Sequence, residues 1–434
     1  MKVAIYNHGI AFDGSTPLKQ PLGGSESSIV YMARALTSCG HDVMVYCNKP
    51  SPSGRGQGEG RVPAPSPTVS PRPLPKGEAE YRHYHQFFTD CAAMPWDVLI
   101  SFRSFDPFLL GRVAPRMIYW TGDASDQPSL KHFEHASLQE NIDLIFCVSN
   151  WHRQSFIDTF HLPSAKVVAT RNGFCPELIS NALPREWTRA AYTSTPFRGL
   201  DVLLEMFPRL RASFAGLQLD VFSSMKVYGW TSEADQKAFG SLYDAAAQTG
   251  VTWHGSLAQP ELLKHLGRTG LFLYPNTFAE TSCIAAIEAQ ASGCVVVTSA
   301  RAALNETVEH GKTGICLKGE PKTEEYQREF IGIISALLRN PARMAEFSEA
   351  ATQRAFQQYT WKSIATEWTN IFESMPATAV HGRWSGPLSL LQKTHEYLQK
   401  GNVSAATRVL TALERTPFLK SEVEAVKGQL STWM

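Results

Sequence analysis

The sequence predicts an α/β protein with two parallel-sheet domains and a small all-α tail at the C-terminal end. Short β-rich apolar runs recur along the chain: "KVAIY", "DVMVYC", "DVLISF", "RMIYW", "DLIFCVS", "KVVAT", "LQLDVF", "VTWHG", "GLFLYP" and "CVVVTS". Amphipathic segments of helical length, such as "SIVYMARALTSCG" and "PELLKHLGRTG", separate these runs. This alternation is typical of parallel sheets. Because the runs fall into two sets, we expect two Rossmann-like halves.

Length and composition exclude several classes of protein. A chain of 434 residues is too long for one ordinary core, so two or three domains are expected. With 41 basic and 40 acidic residues the net charge is +1, which predicts no nucleic-acid partner and at most a peripheral membrane association. Neither a signal peptide nor a membrane span is predicted. The eight cysteines form no CxxC pair and indicate buried thiols of a reducing, cytoplasmic compartment.

Changes in composition predict the domain boundaries. We assign residues 1–178 to the first Rossmann-like domain and residues 179–358 to the second. Within the first domain, residues 49–77 are rich in Pro, Gly and Ser and predict a mobile insertion. Residues 359–375 predict a further helix, and residues 384–434 predict a helical tail.

The tail contains one segment, "GNVSAATRVLTALERTP", that resembles a single tetratricopeptide-type unit. Such units bury their apolar faces by stacking on neighbours, so the tail is a candidate docking surface for a protein partner. We expect a chain truncated after Met375 to remain soluble and active.

Two glutamates stand out in "FAETSCIAAIEAQASGCVVVTSA", which runs from loop through helix to strand. Thr281 or Ser282 suits the helix N-cap, and Gly293 suits the position after its last turn. The free N–H groups of such a helix start favour a phosphate. Glu280 could instead be an acid that stabilises the helix dipole, whereas an ionised Glu288 among small apolar residues needs a partner or a ligand.

The spacing of these glutamates resembles the E-x7-E signature of retaining glycosyltransferases of the large family 4 type. The resemblance implies that Glu280 contacts the sugar of the donor and that Glu288 binds the ribose hydroxyls of its nucleotide. It also implies that backbone N–H groups of Thr281, Ser282 and Cys283 bind the diphosphate.

The resemblance extends over roughly residues 1 to 375 and implies the two-domain GT-B architecture, in which the domains face a cleft. The first domain would hold the acceptor, and the second would hold a nucleotide-diphosphate sugar. The helix at residues 359–375 would cross back onto the first domain, and Asn172 and Gly173 would lie near the hinge.

A second match, "YTSTPFRGLDVLLEMFP", resembles the family's strand, loop and basic turn before a helix. Arg198 takes the place of the residue that neutralises the diphosphate, a role that a guanidinium suits. A solvated loop arginine is the alternative. The family usually has another basic residue where this chain has Thr193, and Lys226 is either its substitute or a surface lysine.

Three further segments carry weaker matches. "LGGSESS" resembles the family's glycine loop, so Gly23 and Gly24 would let the backbone approach a phosphate or the acceptor, although a capped turn explains them equally. In "YWTGDASDQP", Asp123 matches a family aspartate or is a plain loop residue. Gly122 replaces the histidine that many relatives carry beside it.

The segment "VTWHGSLAQPELLKHL" resembles the strand and loop that receive the nucleotide base, where backbone groups around His254 and Gly255 would bind. His152, in "VSNWHRQSF", is predicted to lie on a helix surface rather than to act as a catalyst.

Together these features predict a retaining, metal-independent glycosyltransferase with Glu280, Arg198 and Asp123 as catalytic residues. No cofactor is expected, because the donor is itself a substrate and no DxD-type acidic pair is present to hold Mg²⁺. The acceptor, whether glycan, lipid-linked or protein, is not predicted. The alternative is a sugar-nucleotide-binding or protein-interaction module that has lost turnover, and the departures at Thr193 and Gly122 favour it. A phosphorylase is disfavoured by the lack of a recognisable pyridoxal-binding lysine motif.

Overall fold

The described part of the chain covers most of both predicted domains. The computed structural model describes residues 1–50, 78–109, 111–134, 139–179, 184–380, 387–404, 406–407, 410 and 420–431. The predicted insertion falls almost entirely outside the described residues, as do most of the residues of the tetratricopeptide-like segment.

The first sheet has seven parallel strands in the order β3-β2-β1-β4-β5-β6-β7. Its strands are β1 (Lys2–Tyr6), β2 (Asp42–Cys47), β3 (Glu80–His83), β4 (Val98–Phe102), β5 (Arg116–Trp120), β6 (Leu144–Cys147) and β7 (Val167–Ala169). The order reverses between β1 and β4, as it does in doubly wound sheets, so a crevice opens at the carboxyl ends of these strands.

The second sheet repeats this plan with six parallel strands in the order β10-β9-β8-β11-β12-β13. Its strands are β8 (Glu186–Tyr192), β9 (Gln218–Val221), β10 (Val251–Trp253), β11 (Thr269–Tyr274), β12 (Val295–Ser299) and β13 (Gly314–Leu317). The two sheets confirm the predicted α/β class with two Rossmann-like domains.

Three strands are not among the apolar runs identified in the sequence, and each omission has a physical reason. β3 and β13 are four-residue strands at the edges of their sheets, and all four β3 side chains are only half-buried. β8 alternates exposed and half-buried residues before its last three buried ones, so its polar half hides a central strand. The first domain therefore has seven strands and not the six counted from sequence.

Helices cover both faces of the sheets and form the C-terminal region. They are α1 (Thr16–Lys19), α2 (Gly24–Ser38), α3 (Gln86–Ala93), α4 (Asp106–Leu109), α5 (Asn150–Phe160), α6 (Leu200–Ser213), α7 (Ser232–Ala245), α8 (Gln259–Arg268), α9 (Ile284–Ala291), α10 (Leu304–Thr307), α11 (Glu324–Leu338), α12 (Pro341–Gln358), α13 (Trp361–Ser374), α14 (Pro387–Gln399) and α15 (Lys420–Ser431). Among the described helices, none is both long enough and apolar enough to cross a bilayer.

The chain passes between the domains twice, and the two passages pair with each other. The Phe174 N–H donates to the Tyr359 carbonyl at 2.8 Å, and the Trp361 N–H donates to the Phe174 carbonyl at 3.2 Å. A Cβ at Gly173 would lie 2.8 Å from the Tyr359 carbonyl oxygen, so only glycine allows this close approach. After the second passage, α13 packs against α2 and buries Trp368 in the core of the first domain.

The tail contributes to the core on the other face of the first sheet, where α14 packs against α4. Its buried side chains in that cluster are Leu391, Leu398, Ala406, Leu410, Val423, Val426 and Leu430. Removing them would expose apolar surface on the first domain. We therefore revise the expectation that a chain truncated after Met375 stays soluble. The resemblance to a tetratricopeptide unit stays a prediction.

Candidate active site between the two domains

A cavity of about 670 Å³ lies between the two domains. Its wall is formed by loops that follow the carboxyl ends of strands in both sheets, including Arg103 and Asp123 from the first domain and Arg198 from the second. Ligands of doubly wound sheets bind at this edge. Both sheets therefore present their loop edges to one shared site.

Helix α9 points its N-terminus at the cavity, with Thr281, Ser282 and Cys283 on the wall. The helix begins at Ile284 with Cys283 as N-cap, so neither predicted cap, Thr281 or Ser282, is the observed one. The Thr281 hydroxyl instead donates to the Gly122 carbonyl across the cleft at 2.7 Å. Gly293 ends the helix with φ of 82°, as predicted. The first N–H groups of a helix have no partner within it, so this wall favours an anion.

Arg198 and Glu280 form a buried ion pair beside this helix start. Arg198 Nη1 donates to both carboxylate oxygens of Glu280, at 2.9 and 3.0 Å, and the Tyr274 hydroxyl donates to Glu280 Oε1 at 2.6 Å. Burial by itself lowers the pKa of Arg198, but the Glu280 charge outweighs it and raises the pKa well above the ordinary range. Arg198 therefore stays positively charged beside the cavity, next to the Glu280 carboxylate.

The turn before α6 fixes where this guanidinium lies. Gly199 takes φ of 106°, and a Cβ there would be 2.2 Å from the Pro275 carbonyl oxygen. The loop after β8 can thus press directly onto the loop after β11. The Phe278 ring covers the guanidinium at 4.3 Å, and Nη2 donates to the Tyr228 hydroxyl at 3.2 Å. Arg198 is therefore not a solvated loop arginine, the alternative considered from the sequence.

Within the described part of the chain Glu288 has no charged partner, and its carboxylate is held by a neutral amide. The Gln259 amide donates to Glu288 Oε1, and the Tyr31 hydroxyl of the first domain donates to the carbonyl oxygen of Gln259. Burial raises the pKa of the Glu288 carboxyl to about 7, and the Gln259 hydrogen bond only partly opposes this. Glu288 thus changes its charge near neutral pH.

Several buried polar atoms of the wall lack a hydrogen-bond partner within the described residues. They are Thr193 Oγ1, Thr195 Oγ1, Arg198 Nε and Ser256 Oγ. Unsatisfied buried polar groups cost free energy, so a polar ligand in the cavity would stabilise them. Lys226, considered as a substitute for the basic residue missing at Thr193, is exposed and is not among the residues of the wall.

On the first-domain side, Asp123 is held in place by two basic side chains. Arg103 Nε donates to Asp123 Oδ2 at 2.8 Å, and His152 Nε2 lies 2.6 Å from the Asp123 carbonyl oxygen. The prediction that His152 lies on a helix surface is wrong, because its side chain is fully buried. Burial lowers the pKa of His152 to about 4, so the neutral ring donates to Asp123.

The glycine loop lets the second domain come close. A Cβ at Gly23 would lie 2.9 Å from Glu26 Oε2 and 3.1 Å from the Val227 carbonyl of the second domain, and one at Gly24 would lie 3.1 Å from Ile284 Cδ1. Small residues are therefore needed here for the domains to approach. At Gly122, by contrast, a Cβ would meet no described atom within 4 Å, so close packing does not require glycine there.

His254 and Gly255 lie behind the wall and not on it. The His254 N–H donates to the Val221 carbonyl at 2.8 Å, so this backbone group is already used. Ser256, Leu257 and Gln259, immediately after them, line the cavity instead. The base contacts predicted for His254 and Gly255 stay a prediction, and the residues that line the cavity are those that follow them in the chain.

Sequence reasoning missed several residues at or beside the site, among them Glu26, Tyr31, Arg103 and Gln259. Tyr31 and Gln259 are 228 positions apart, and Arg103 reaches Asp123 from another strand, so no local pattern pairs them. Of these four, Glu26 had a local signal, as the acid in the first turn of the helix that follows the glycine pair. Among the described residues, one group of three His, Cys, Asp or Glu side chains could share a metal ion, and it lies off the cavity wall at Asp220, His254 and His265.

Two family profiles match the chain, one for each domain. The profile described as Glycosyltransferase Family 4 matches residues 22–178, and the one described as Glycosyl transferases group 1 matches residues 189–340. Among curated proteins, the lipopolysaccharide 1,2-N-acetylglucosaminetransferase of Salmonella typhimurium is 26% identical over 231 residues, which is 48% of this chain and 58% of that protein. The D-inositol 3-phosphate glycosyltransferase of Rhodococcus erythropolis is 26% identical over 196 residues, 44% of this chain and 41% of that protein. The chain thus spans about half the length of these curated relatives.

Solved structures share the fold over most of the chain. Sucrose-phosphate synthase of Thermosynechococcus elongatus superposes with a TM-score of 0.62 at 16% identity, covering 86% of this chain and 98% of that one. HepE of Anabaena, solved in complex with UDP and glucose, gives 0.62 at 14% identity over 86% of this chain and all of that one. With both domain profiles matched in order along one two-domain fold, the chain belongs to the family 4 type of glycosyltransferases.

Proposed function

We propose that the chain transfers a sugar from a nucleotide-diphosphate donor to an acceptor, with retention at the anomeric carbon and without a metal ion in the transfer step. The Arg198–Glu280 pair at the start of α9 carries this proposal. Arg198 supplies a permanent positive charge, Glu280 supplies a fixed carboxylate, and the start of α9 supplies N–H groups. All three lie on the wall that faces the first domain.

In this proposal the positive wall receives the diphosphate. Negative charge grows on the leaving group as the glycosidic bond breaks, and a fixed guanidinium and helix N–H groups stabilise that charge without reorganising. Arg198 Nε has no partner within the described residues and so remains available for a phosphate oxygen. Glu280, held by Arg198 and Tyr274, is the candidate contact for the sugar.

The nucleoside would occupy the part of the cavity near Glu288. A carboxylate accepts hydrogen bonds from two adjacent ribose hydroxyls, and Ser256 offers a hydroxyl without a partner nearby. Structures of Anabaena HepE were solved with UDP and with UDP-glucose. That supports a uridine nucleotide as the first donor to test.

The pairing of the wall's acids supports a transfer step without a metal. Among the described wall residues the acids are Asp123, Glu280 and Glu288, and each is held by its own protein partner. None forms the paired set of free carboxylates that usually holds Mg²⁺ at a phosphate. Asp123 faces the donor wall from the first domain and is proposed to act near the reacting sugar, beside the acceptor.

A binding module without turnover remains the second candidate, and Thr193 is the observation that favours it. At the place of the family's second basic residue, the wall has a buried hydroxyl without a partner. One positive charge would then neutralise the diphosphate where relatives use two. Binding would survive this loss better than turnover, because the charge of the leaving group grows in the transition state.

Two measurements on the purified full chain test these proposals. Thermal unfolding is first followed with UDP-, GDP-, ADP- and CMP-linked sugars, since a bound donor raises the midpoint by mass action. The stabilising donor is then incubated with candidate acceptors, and NMR reads the anomeric configuration of the product. A product of inverted configuration contradicts retention, and a donor that binds tightly but is never consumed favours the binding module.

A further inference from the structure

A carboxylate and two imidazoles converge behind the cavity wall of the second domain. Asp220 lies in β9, His254 directly follows β10, and His265 lies in α8. One oxygen or nitrogen atom from each side chain lies within 4.8 Å of the other two. Asp220 and His254 are 34 positions apart and meet through the parallel pairing of β9 with β10. His265 follows His254 by 11 positions and is brought to them by the packing of α8.

The two histidines differ in their bonding. His254 Nε2 lies 2.8 Å from Asp220 Oδ1, whereas the His265 ring makes no hydrogen bond within the described residues. Both rings pack against Phe222, at 4.6 and 5.1 Å, and against each other at 5.1 Å. The His265 imidazole therefore has a nitrogen that can bind a ligand next to the Asp220 carboxylate.

The three side chains are of the types that bind transition-metal ions, two imidazoles and one carboxylate. Burial and the neighbouring His254 lower the pKa of His265. Burial tends to raise the pKa of Asp220, but hydrogen bonds from His254 and Arg189 outweigh it and lower the pKa. The cluster thus offers one carboxylate and two imidazole rings within reach of one another.

The charged side chains around the cluster do not prevent a cation from binding there. Arg189 binds the far oxygen, Asp220 Oδ2, at 2.7 Å, so Oδ1 stays directed at the imidazoles. Hydrogen bonds of this kind orient ligating carboxylates in metal sites. Glu186 in turn pairs with Arg189 at 2.9 Å and with Arg268 at 3.4 Å, which offsets both positive charges.

We propose that Asp220, His254 and His265 form a binding site for a divalent transition-metal ion of the Zn²⁺ class, separate from the sugar-transfer cavity. Zn²⁺ takes imidazole nitrogen and carboxylate oxygen at about 2.0–2.2 Å, which places ligand atoms roughly 3.3 Å apart in a tetrahedron. The hydrogen bond between His254 and Asp220 then opens slightly, and the shared proton moves to Nδ1 of the same ring. Water completes the fourth position.

A metal ion bound by the two histidines would affect the segment of the cavity wall that lies between them. They bracket the segment that supplies Ser256, Leu257, Gln259 and Leu262 to the cavity wall. A metal ion would tie both ends of that segment to β9, which restricts the movement of the loop and of the first turns of α8. The inference does not depend on the proposed donor, because it concerns metal binding and loop mobility alone.

Titration of the metal-stripped full chain with Co²⁺ tests the site. We expect one Co²⁺ per chain with the visible absorption bands of tetrahedral coordination, and Zn²⁺ should displace it. His265→Gln and His254→Gln should each weaken Co²⁺ binding at least tenfold. The double variant His83→Gln, His85→Gln, which removes a stacked histidine pair of the first domain, should bind like the wild type.

Hydrogen exchange locates the effect in the wild-type chain. Zn²⁺ should slow amide exchange in residues 254–265 of the wild type and leave His265→Gln unchanged. His265 makes no hydrogen bond in the described structure, so this variant should fold, and its unfolding midpoint without metal serves as the check. Equal Co²⁺ binding by wild type and His265→Gln, loss of binding in the His83/His85 variant, or unchanged exchange would each overturn the proposal.

Discussion

Glu280 and Glu288 lie eight positions apart on one segment, yet the two ends of the cavity stabilise their carboxylates by opposite means. At the Arg198 end, Glu280 is held by a guanidinium and by the Tyr274 hydroxyl. At the Gln259 end, Glu288 is equally buried but receives one hydrogen bond from a neutral amide. Burial raises the pKa of the Glu288 carboxyl to about 7.

This difference indicates a division of tasks. The Arg198 guanidinium carries a charge that does not change with pH, which suits a group that stabilises a growing negative charge. A carboxyl without a counter-ion is poised to accept hydrogen bonds from a ligand, at a cost in stability while the ligand is absent. The cavity therefore has one end built for the transition state and one built for binding.

Replacing Arg198 should have the largest effect on catalysis. Arg198→Ala should lower kcat by a hundredfold or more, the effect of removing one donor to a developing charge, with a smaller loss of donor affinity. Lysine should rescue only part of the rate, because it keeps the charge but loses the two-pronged geometry. Steady-state kinetics of the three proteins provide the measurement.

Arg198→Ala leaves the buried Glu280 without its counter-ion, so the double variant Arg198→Ala, Glu280→Gln is the control for folding. If kcat and donor affinity fall by equal factors, Arg198 contributes uniform binding and the division of tasks is wrong. Unchanged kinetics would remove Arg198 from the site.

Replacing Glu288 should separate binding from stability. The raised pKa means that the wild type loses roughly 3 kcal/mol of stability as pH rises from 4.5 through 7, because the folded carboxyl must give up its proton in a buried place. Glu288→Gln has no such loss, so it should be more stable than the wild type at pH 8 and similar near pH 4.5. Urea unfolding at both pH values measures this.

The same variant should bind the donor nucleotide more weakly. Loss of charge-assisted hydrogen bonds costs about 1.5–3 kcal/mol, or tenfold and more in Kd at pH 8. Wild-type affinity should rise as pH increases through about 7, beyond the change that Glu288→Gln shows, which controls for titration of the ligand. Parallel pH profiles from calorimetry would show that Glu288 does not bind the ribose.

Two tyrosines allow a finer comparison of the ends. Tyr31→Phe releases Gln259 and should raise the donor KM by a few-fold, the worth of one neutral hydrogen bond, with kcat within about twofold. Tyr228→Phe frees one nitrogen of Arg198 and should act mainly on kcat. Kinetics in which both variants change the same parameter would contradict the division of tasks.

Chelation should have the smallest effect. Because Arg198 and helix N–H groups supply the charge at the diphosphate, turnover in excess EDTA should stay within about twofold of the untreated enzyme. His265→Gln, assayed with and without EDTA, separates any influence of the metal site proposed behind the wall. A rate that disappears with chelator and returns only with Mg²⁺ would show that the transfer step needs a metal.

The sequence predicted the repeating architecture because parallel strands buried on both faces are continuous apolar runs. β3 and β13 were missed because short edge strands are only partly buried and carry a weak signal. His152 was misjudged for a related reason. It sits in the first turn of a helix of mixed polarity, and its burial arises only when the Asp123 loop folds over it.

Within the site, the placements of Glu280, Glu288 and Arg198 on one wall agree with local motifs, whereas their partners do not follow from any motif. Tyr31 meets Gln259 only because two domains close on each other. Asp220, His254 and His265 meet through sheet register and helix packing. Contacts that depend on tertiary closure leave no periodic trace in a sequence.

The packing of the last helices on the first domain also sets an order of events during synthesis. The core of the second domain draws its buried residues from positions 190–347, whereas the first domain's clusters need α13 and the tail. On the ribosome, the second domain therefore has all its core residues before the first domain does. Ribosome-bound chains in which residues up to about 358 have emerged from the exit tunnel should show protease resistance in the second domain only. The N-terminal half of this glycosyltransferase would be the last part to fold, reversing the usual N-to-C order of domain folding.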